Sequence, residues 1–188
     1  MTAIWWVRRD LRLMDNLTLQ MAVNSGEILP VFILDPYFRN AAISRKYKLL
    51  INGLRKLDAD LHSRGSYLVI RRGKPLDVLR QLLNESGAQA ILAEEDFTPY
   101  ARQRDEAIAA NLPLKLIQGQ LVHHPLGIHK SDGRPYTVFT PFSKTWKRLL
   151  PHDLELFPAP EKILTCNGIS SEPIPEFPRA DNLCRPNL

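Results

Sequence analysis

Ala3-Ile4-Trp5-Trp6-Val7, followed at once by Arg8-Arg9-Asp10-Leu11-Arg12, is the stretch from which the fold can be read. A short apolar run without polar alternation predicts a strand buried on both faces, as in a parallel sheet. The abrupt change to charge at Arg8 marks its exit. Within the run, Trp5 and Trp6 read as one core residue and one interface residue.

Outward from this strand, strand and helix signals alternate. Asn16 to Asn24 has helical spacing through Leu17, Met21 and Val23, with Gly26 as a stop. Ile28 to Leu34 (ILPVFIL) predicts a second buried strand. Ser44 can cap a long helix with Leu50, Leu54, Leu57 and Leu61 on one face, ending at Gly65. Tyr67 to Ile70 predicts a third strand, and Pro75 opens a helix that runs to Gly87. Ala90 to Ala93 predicts a fourth strand, Thr98-Pro99 an N-cap and first turn of a helix to Ala110, and Leu114 to Ile117 a fifth strand. Strands separated by helices imply a doubly wound, Rossmann-like α/β fold: five parallel strands with helices on both faces.

The later residues differ. Lys130 to Arg134 (KSDGR) is a turn signal, and Thr140 to Leu150 predicts one short helix with Pro141 in its first turn. Seven of the 15 prolines lie between Pro151 and Pro186, which predicts an extended, semi-rigid linker. The expected organisation is an α/β domain over 1–135, a short helix leading out of it over 136–150, and a Pro-rich linker over 151–188, with a further domain expected beyond it.

Composition excludes several classes. With 44% hydrophobic residues the chain can build a core. No apolar run is long enough to span a bilayer, and Met1 to Val7 followed by charge has the reverse order of a secretory signal. A cytoplasmic, soluble protein is expected. Cys166 and Cys184 are too few for a disulfide framework and lack metal-site spacing. A net charge of +5 permits an anionic ligand or weak nucleic-acid contact without demonstrating either. There is no G-x-G-x-x-G, no phosphate loop and no G-x-S-x-G elbow. His123 and His124 on an extended segment point to opposite faces, so they and His129 read as packing or loop residues and no metal site is expected. No catalytic residue is expected either.

Ligands of open parallel sheets bind outside the carboxyl ends of the strands, where strand order reverses. Three loops there are chemically rich: Arg8 to Arg12, Asp35 to Tyr37, and Glu94 to Thr98. Carboxylates facing guanidinium groups, with Phe32 and Phe97 nearby, could hold a flat polar aromatic ligand. The alternative is that these charges only fix loops or lie solvated.

Four stretches resemble the photolyase/cryptochrome family. They are Trp6-Val7-Arg8-Arg9-Asp10-Leu11-Arg12-Leu13 with Asp15-Asn16; Phe32-Ile33-Leu34-Asp35-Pro36; Thr98-Pro99-Tyr100-Ala101-Arg102-Gln103-Arg104-Asp105; and Gly133 to Phe142 (GRPYTVFTPF). They occur in family order. The resemblance implies an amino-terminal antenna-chromophore domain that collects light and passes excitation to FAD in a helical domain of the same protein. In a photolyase that second domain repairs damaged DNA; the 188 residues alone are expected to be inactive. Carried over by motif, the chromophore-binding residues are Arg9, Asp10, Leu11, Phe32, Leu34, Asp35, Glu95, Asp96, Phe97 and Thr98. Arg45 or Lys46 would meet an anionic tail.

Folate-binding members carry an Asn-Glu pair where this chain has Tyr100 and Ala101, and Asp96 stands where deazaflavin-binding members place an acidic residue. Both features favour 8-hydroxy-5-deazaflavin or FMN over methenyltetrahydrofolate, although the second acidic position of those members is Thr98 here. A cryptochrome-type signalling module, or a free-standing nucleotide-binding α/β domain, are the alternatives. The face expected to dock on the FAD domain would be exposed, which predicts a non-native dimer through that patch.

Overall fold

The computed structural model describes residues 1–37, 45–119, 121–124, 127–150 and 156–176. β1 (Thr2–Val7) is the central strand and lies parallel between β2 (Glu27–Leu34) and β4 (Ala90–Glu94). β3 (Val69–Arg72) flanks β2 and β5 (Leu114–Ile117) flanks β4, so the order is β3-β2-β1-β4-β5. The chain first winds from β1 toward β3, then returns to the other side of β1. Strand order therefore reverses between β1 and β4, and a crevice opens at their carboxyl ends.

Helices cover both faces, which is why the strands read as unbroken apolar runs. α1 (Leu17–Asn24) and α2 (Arg45–His62) place Leu19, Leu54, Leu57 and Leu61 against Trp5, Phe32 and Leu92. α3 (Pro75–Ser86) and α4 (Pro99–Ala109) place Leu79, Leu82 and Ile108 against Ile4, Trp6, Val31 and Ile91. Each such side chain contributes on the order of 2 kcal/mol by leaving water. Because side chains alternate along a strand, Trp5 and Trp6 enter opposite cores, and both are buried, at 0% and 2% exposure. The expected interface tryptophan is thus a second core residue, since β1 has no solvated face.

Local chemistry sets the helix starts. The Asn16 side chain accepts from Leu19 N–H to cap α1, and Thr98 accepts from Ala101 N–H to cap α4, with Pro99 in the first turn. Ser44, the expected cap of α2, lies outside the described residues. β3 begins two residues later than its apolar run suggests. Leu68 N–H is taken by Asp58 Oδ1 and Tyr67 hydroxyl by the Cys166 carbonyl, so pairing with β2 runs from Val69 through Arg72.

The Pro-rich end is extended over 156–176 and fastened to the domain. Asp15 N–H donates to the Phe157 carbonyl, Ile163 N–H to that of Arg64, and Ile28 N–H to that of Leu164, while Cys166 N–H returns to the Ile28 carbonyl. Thr165 bridges Ile28 in parallel, on the side of β2 where β3 has yet to begin. Pro30 falls between that bridge and the first β3 pair at Val31. Its missing N–H would point the same way as that of Ile28, so it breaks no ladder bond. Beyond, Ile70 N–H donates to Ser171 Oγ, Glu172 N–H to the Ile70 carbonyl, and Arg72 pairs with Glu172 at 2.8 Å, covering the outer edge of β3.

α5 (Phe139–Arg148) follows a turn in which Lys130 N–H meets the Arg134 carbonyl. Pro141 sits in its first turn, and no residue of α5 is buried. Among the described residues no helix is long and apolar enough to cross a membrane.

Candidate chromophore-binding cavity

The loops after β1, β2 and β4 meet at the carboxyl edge of the sheet, as the strand-order reversal requires. Asp10 organises the first. It is 2% exposed, its Oδ2 accepts from Trp5 Nε1 at 3.3 Å and Asn16 Nδ2 at 3.2 Å, and its Oδ1 accepts from Arg8 N–H at 3.0 Å. This ties the exit of β1 to the cap of α1. Leu11 packs on α2 at Gly53, where a Cβ would stand 2.7 Å from Leu11 Cδ1, so a larger residue there would make the end of the Leu11 side chain move.

After β2, one carboxylate ties two aromatic rings. Asp35 Oδ1 accepts from Tyr37 N–H at 2.9 Å, and Asp35 Oδ2 accepts a short bond from the Tyr100 hydroxyl. The two rings stack, with centroids 3.7 Å apart and planes 10° from parallel. Burial, and then Asp35, push the Tyr100 phenol well above the ordinary tyrosine range, so it stays a donor. After β4, Asp96 Oδ1 accepts from Thr98 N–H at 3.0 Å and lies 3.7 Å from Arg9 Nη1. Burial raises the Asp96 carboxyl, but the Thr98 hydrogen bonds and the charges of Arg9 and Arg8 outweigh it and hold the group below the usual carboxylate range.

These loops enclose a cavity of about 730 Å³, within the range of small-molecule and cofactor sites. Of the residues expected from sequence, Arg9, Phe32, Asp35, Lys46, Asp96 and Thr98 line it. Glu95 and Phe97 line an adjoining lobe of about 380 Å³, which shares Arg8, Arg9, Asp96 and Thr98 with the first. Asp10, Leu11, Leu34 and Arg45 are not part of either lining. Asp10 is spent on the β1 loop, Leu11 and Leu34 pack on the core under α1 and α2, and Arg45 is exposed at the start of α2. The Thr98 hydroxyl is engaged in capping α4.

Arg8 and Tyr37, within two of the loops expected at this edge, also line the cavity; sequence reasoning missed the rest of that wall, Trp6, Pro75, Tyr100 and Arg104. The helical period carried a signal, because Tyr100 and Arg104 stand four apart on α4 and so share a face. Arg8 and Arg104 lie 4.9 and 4.7 Å from the Trp6 ring centroid and converge on Asp105. Burial lowers the Arg8 pKa and the Asp105 charge opposes it. The two adjacent histidines part company: His123 Nε2 is 3.1 Å from the Trp146 carbonyl, and His124 lies edge-on to Phe97 and 3.8 Å from Glu95.

A family model described as DNA photolyase matches residues 3–161, spanning all five strands and the cavity. The chain belongs to the DNA photolyase family. A deoxyribodipyrimidine photo-lyase of Synechococcus is 34% identical over 152 residues, 77% of this chain and 31% of that protein. A bacterial class III photolyase from Agrobacterium tumefaciens superposes with a TM-score of 0.82 at 28% identity, covering 92% of this chain and 37% of that one. An archaeal photolyase from Sulfolobus tokodaii, with two FAD molecules and the implication of a novel light-harvesting cofactor, superposes at 0.70 and 28% identity over 88% of this chain and 38% of its own. The chain thus spans about a third of the length of these photolyases, over the family's amino-terminal α/β domain.

Proposed function

We propose that this domain binds a flat antenna chromophore in the cavity at the β1/β4 switch and collects light for FAD held by a helical domain of the same protein. The observation that carries the reading is the 730 Å³ cavity, walled by Trp6, Phe32, Tyr37 and Tyr100 and edged by charged groups, in a chain of the photolyase family. A tricyclic ring fits those dimensions and that chemistry: aromatic walls cover its faces, and charged side chains fix its edges. When bound, the chromophore absorbs near-UV or blue light and passes excitation on. The protein holds the ring rigidly and excludes water, since transfer depends on distance and orientation.

The residues favour 8-hydroxy-5-deazaflavin or a flavin such as FMN over methenyltetrahydrofolate. Tyr100 and Ala101 offer no carboxylate to grip a pterin, whereas Asp96 is held ionised at the rim. Val138 and Phe139 at the start of α5 and Leu149 at its end are apolar yet 48–76% exposed, which suits docking of the helical domain that completes a light-dependent repair lyase. Any contact with damaged DNA belongs to that longer protein.

The test is a fluorescence titration of the 188-residue chain with 8-hydroxy-5-deazaflavin, FMN and methenyltetrahydrofolate, each repeated with Asp96→Ala. One flavin-type ligand should bind, and Asp96→Ala should weaken it by about tenfold, the worth of a hydrogen bond to a charged group. Binding of none of the three refutes the proposal.

A further inference from the structure

The wall of the cavity toward α4 holds more hydrogen-bond donors than the protein supplies acceptors. Arg8 Nη1 donates to Asp105 Oδ2 at 2.7 Å, and Arg104 Nε donates to Asp105 Oδ1 at 2.9 Å. Arg104 Nη2 is 2.8 Å from the same Oδ1, but off the hydrogen-bonding direction. The three side chains are nearly out of solvent, at 7%, 13% and 4% exposure for Arg8, Arg104 and Asp105. Two guanidinium groups carry five N–H donors each, and one carboxylate offers two oxygens. Accordingly Arg8 Nε and Nη2 are buried without an acceptor.

Arg104 is held so that one edge is left over. Its plane lies over Trp6 and Tyr100, 4.7 and 5.6 Å from their ring centroids, and Asp105 takes the Nε side. Among the described residues no acceptor meets Arg104 Nη1, and Arg104 is part of the cavity wall. The carboxylates on the same wall are engaged: Asp35 by Tyr37 N–H and the Tyr100 hydroxyl, Asp96 by Thr98 N–H with Arg9 beside it. The other cations on the wall, Arg9 and Lys46, belong to exposed residues at the rim.

We propose that Arg104, backed by Arg8 and braced between Trp6 and Tyr100, is an anion-receiving corner of the cavity, which therefore selects ring ligands carrying a phosphate or a ring oxyanion over neutral rings of the same size. The proposal rests on the reading of this cavity as a ligand site. A guanidinium whose faces and one edge are fixed loses little freedom on pairing, and inside a partly dry cavity the pair is weakly screened. It goes beyond the expected anionic contact at Arg45 or Lys46, because it places the anion against α4 rather than at the start of α2.

Two ligand pairs separate the sources of charge. FMN and riboflavin differ only in the phosphate; 7,8-didemethyl-8-hydroxy-5-deazariboflavin and 7,8-didemethyl-5-deazariboflavin differ only in the ionisable ring hydroxyl. In fluorescence titrations of the 188-residue chain, at least one pair should show a preference of about tenfold or more for the charged member. Arg104→Met, which keeps the cover on Trp6 and leaves Arg8 to pair with Asp105, should abolish that preference. Arg102→Met, which removes the same charge from an exposed site two residues away, should leave it intact. A preference that survives Arg104→Met, or that is lost only in Lys46→Met, overturns the assignment, as does a preference absent from both pairs. If no ring binds to any form, the chromophore reading fails, and inorganic phosphate decides this inference alone. Titrated into arginine-¹⁵N-labelled chain, phosphate should move the Nε–H signal of Arg104, identified as the one missing in Arg104→Gln. A signal that does not move refutes the anion corner.

Discussion

The Pro-rich strap should be a structural part of the domain, and two adjacent residues can show it. Ile163 is 1% exposed and packs into the core between the sheet and α2; Leu164, its neighbour on an extended backbone, is 55% exposed. Ile163→Ala removes buried methyl groups where the surroundings cannot easily collapse, because the backbone on both sides is pinned by the bonds between Ile163 N–H and the Arg64 carbonyl and between Ile28 N–H and the Leu164 carbonyl. The expected loss is about 2–5 kcal/mol, as for other buried aliphatic truncations. For a domain of this size each kcal/mol lowers Tm by about 2–4 °C, so Ile163→Ala should melt roughly 4–20 °C below wild type. Leu164→Ala deletes a comparable side chain that faces water and should stay within about 0.5 kcal/mol. Urea unfolding followed by far-UV circular dichroism, with m unchanged between variants, measures both. Equal midpoints for the two variants would refute the packing, since a loose linker treats both residues alike.

Two further outcomes follow from buried charge at the cavity. Asp105→Asn leaves Arg8 and Arg104 facing each other without an anion and should cost about 3–5 kcal/mol, whereas Asp132→Asn, at an exposed pair with Arg134, should be near neutral; equal urea midpoints would contradict this. The Tyr100 phenol is raised by burial and by Asp35, so its bond to Asp35 is fully present below the ordinary tyrosine pKa near 10 and is lost only as pH rises past its elevated value. Absorbance at 295 nm should show a tyrosine that ionises after ordinary ones and that vanishes in Tyr100→Phe; an unchanged late phase in that variant would refute the bond.

What could be read from the sequence divides along physical lines. The apolar runs of β1, β2 and β4 were legible because a parallel sheet with helices on both faces leaves polar residues only at the ends of those strands, at Thr2, Glu27 and Glu94. Of the edge strand β3, expected over Tyr67 to Ile70, the apolar part was legible and the charged end was not. Arg71 and Arg72 look like loop residues, yet on an edge their charges reach Glu85 at 2.5 Å and Glu172 at 2.8 Å while their backbones continue the ladder. At the site, the three loops were legible from topology alone, because chain reversal fixes where the crevice lies. Which side chains turn into it was not. Asp10 and Arg9 are adjacent charged residues of opposite sign, but Trp5 Nε1, Asn16 and Arg8 N–H claim Asp10 and leave Arg9 to the cavity.

The strap shows the same limit in the opposite direction. Proline density says that a segment cannot hydrogen-bond within itself; it says nothing about partners elsewhere. Residues 163–165 alternate buried Ile163, exposed Leu164 and buried Thr165, the signature of a strand with one covered face, and Thr165 closes a buried bond of 2.6 Å to Ser66 Oγ. The alternation is too short to outweigh the prolines around it. Only the vacant flank of β2, beside Pro30 and before β3 begins, gives it something to pair with, and that vacancy exists in the fold rather than in any local stretch of chain.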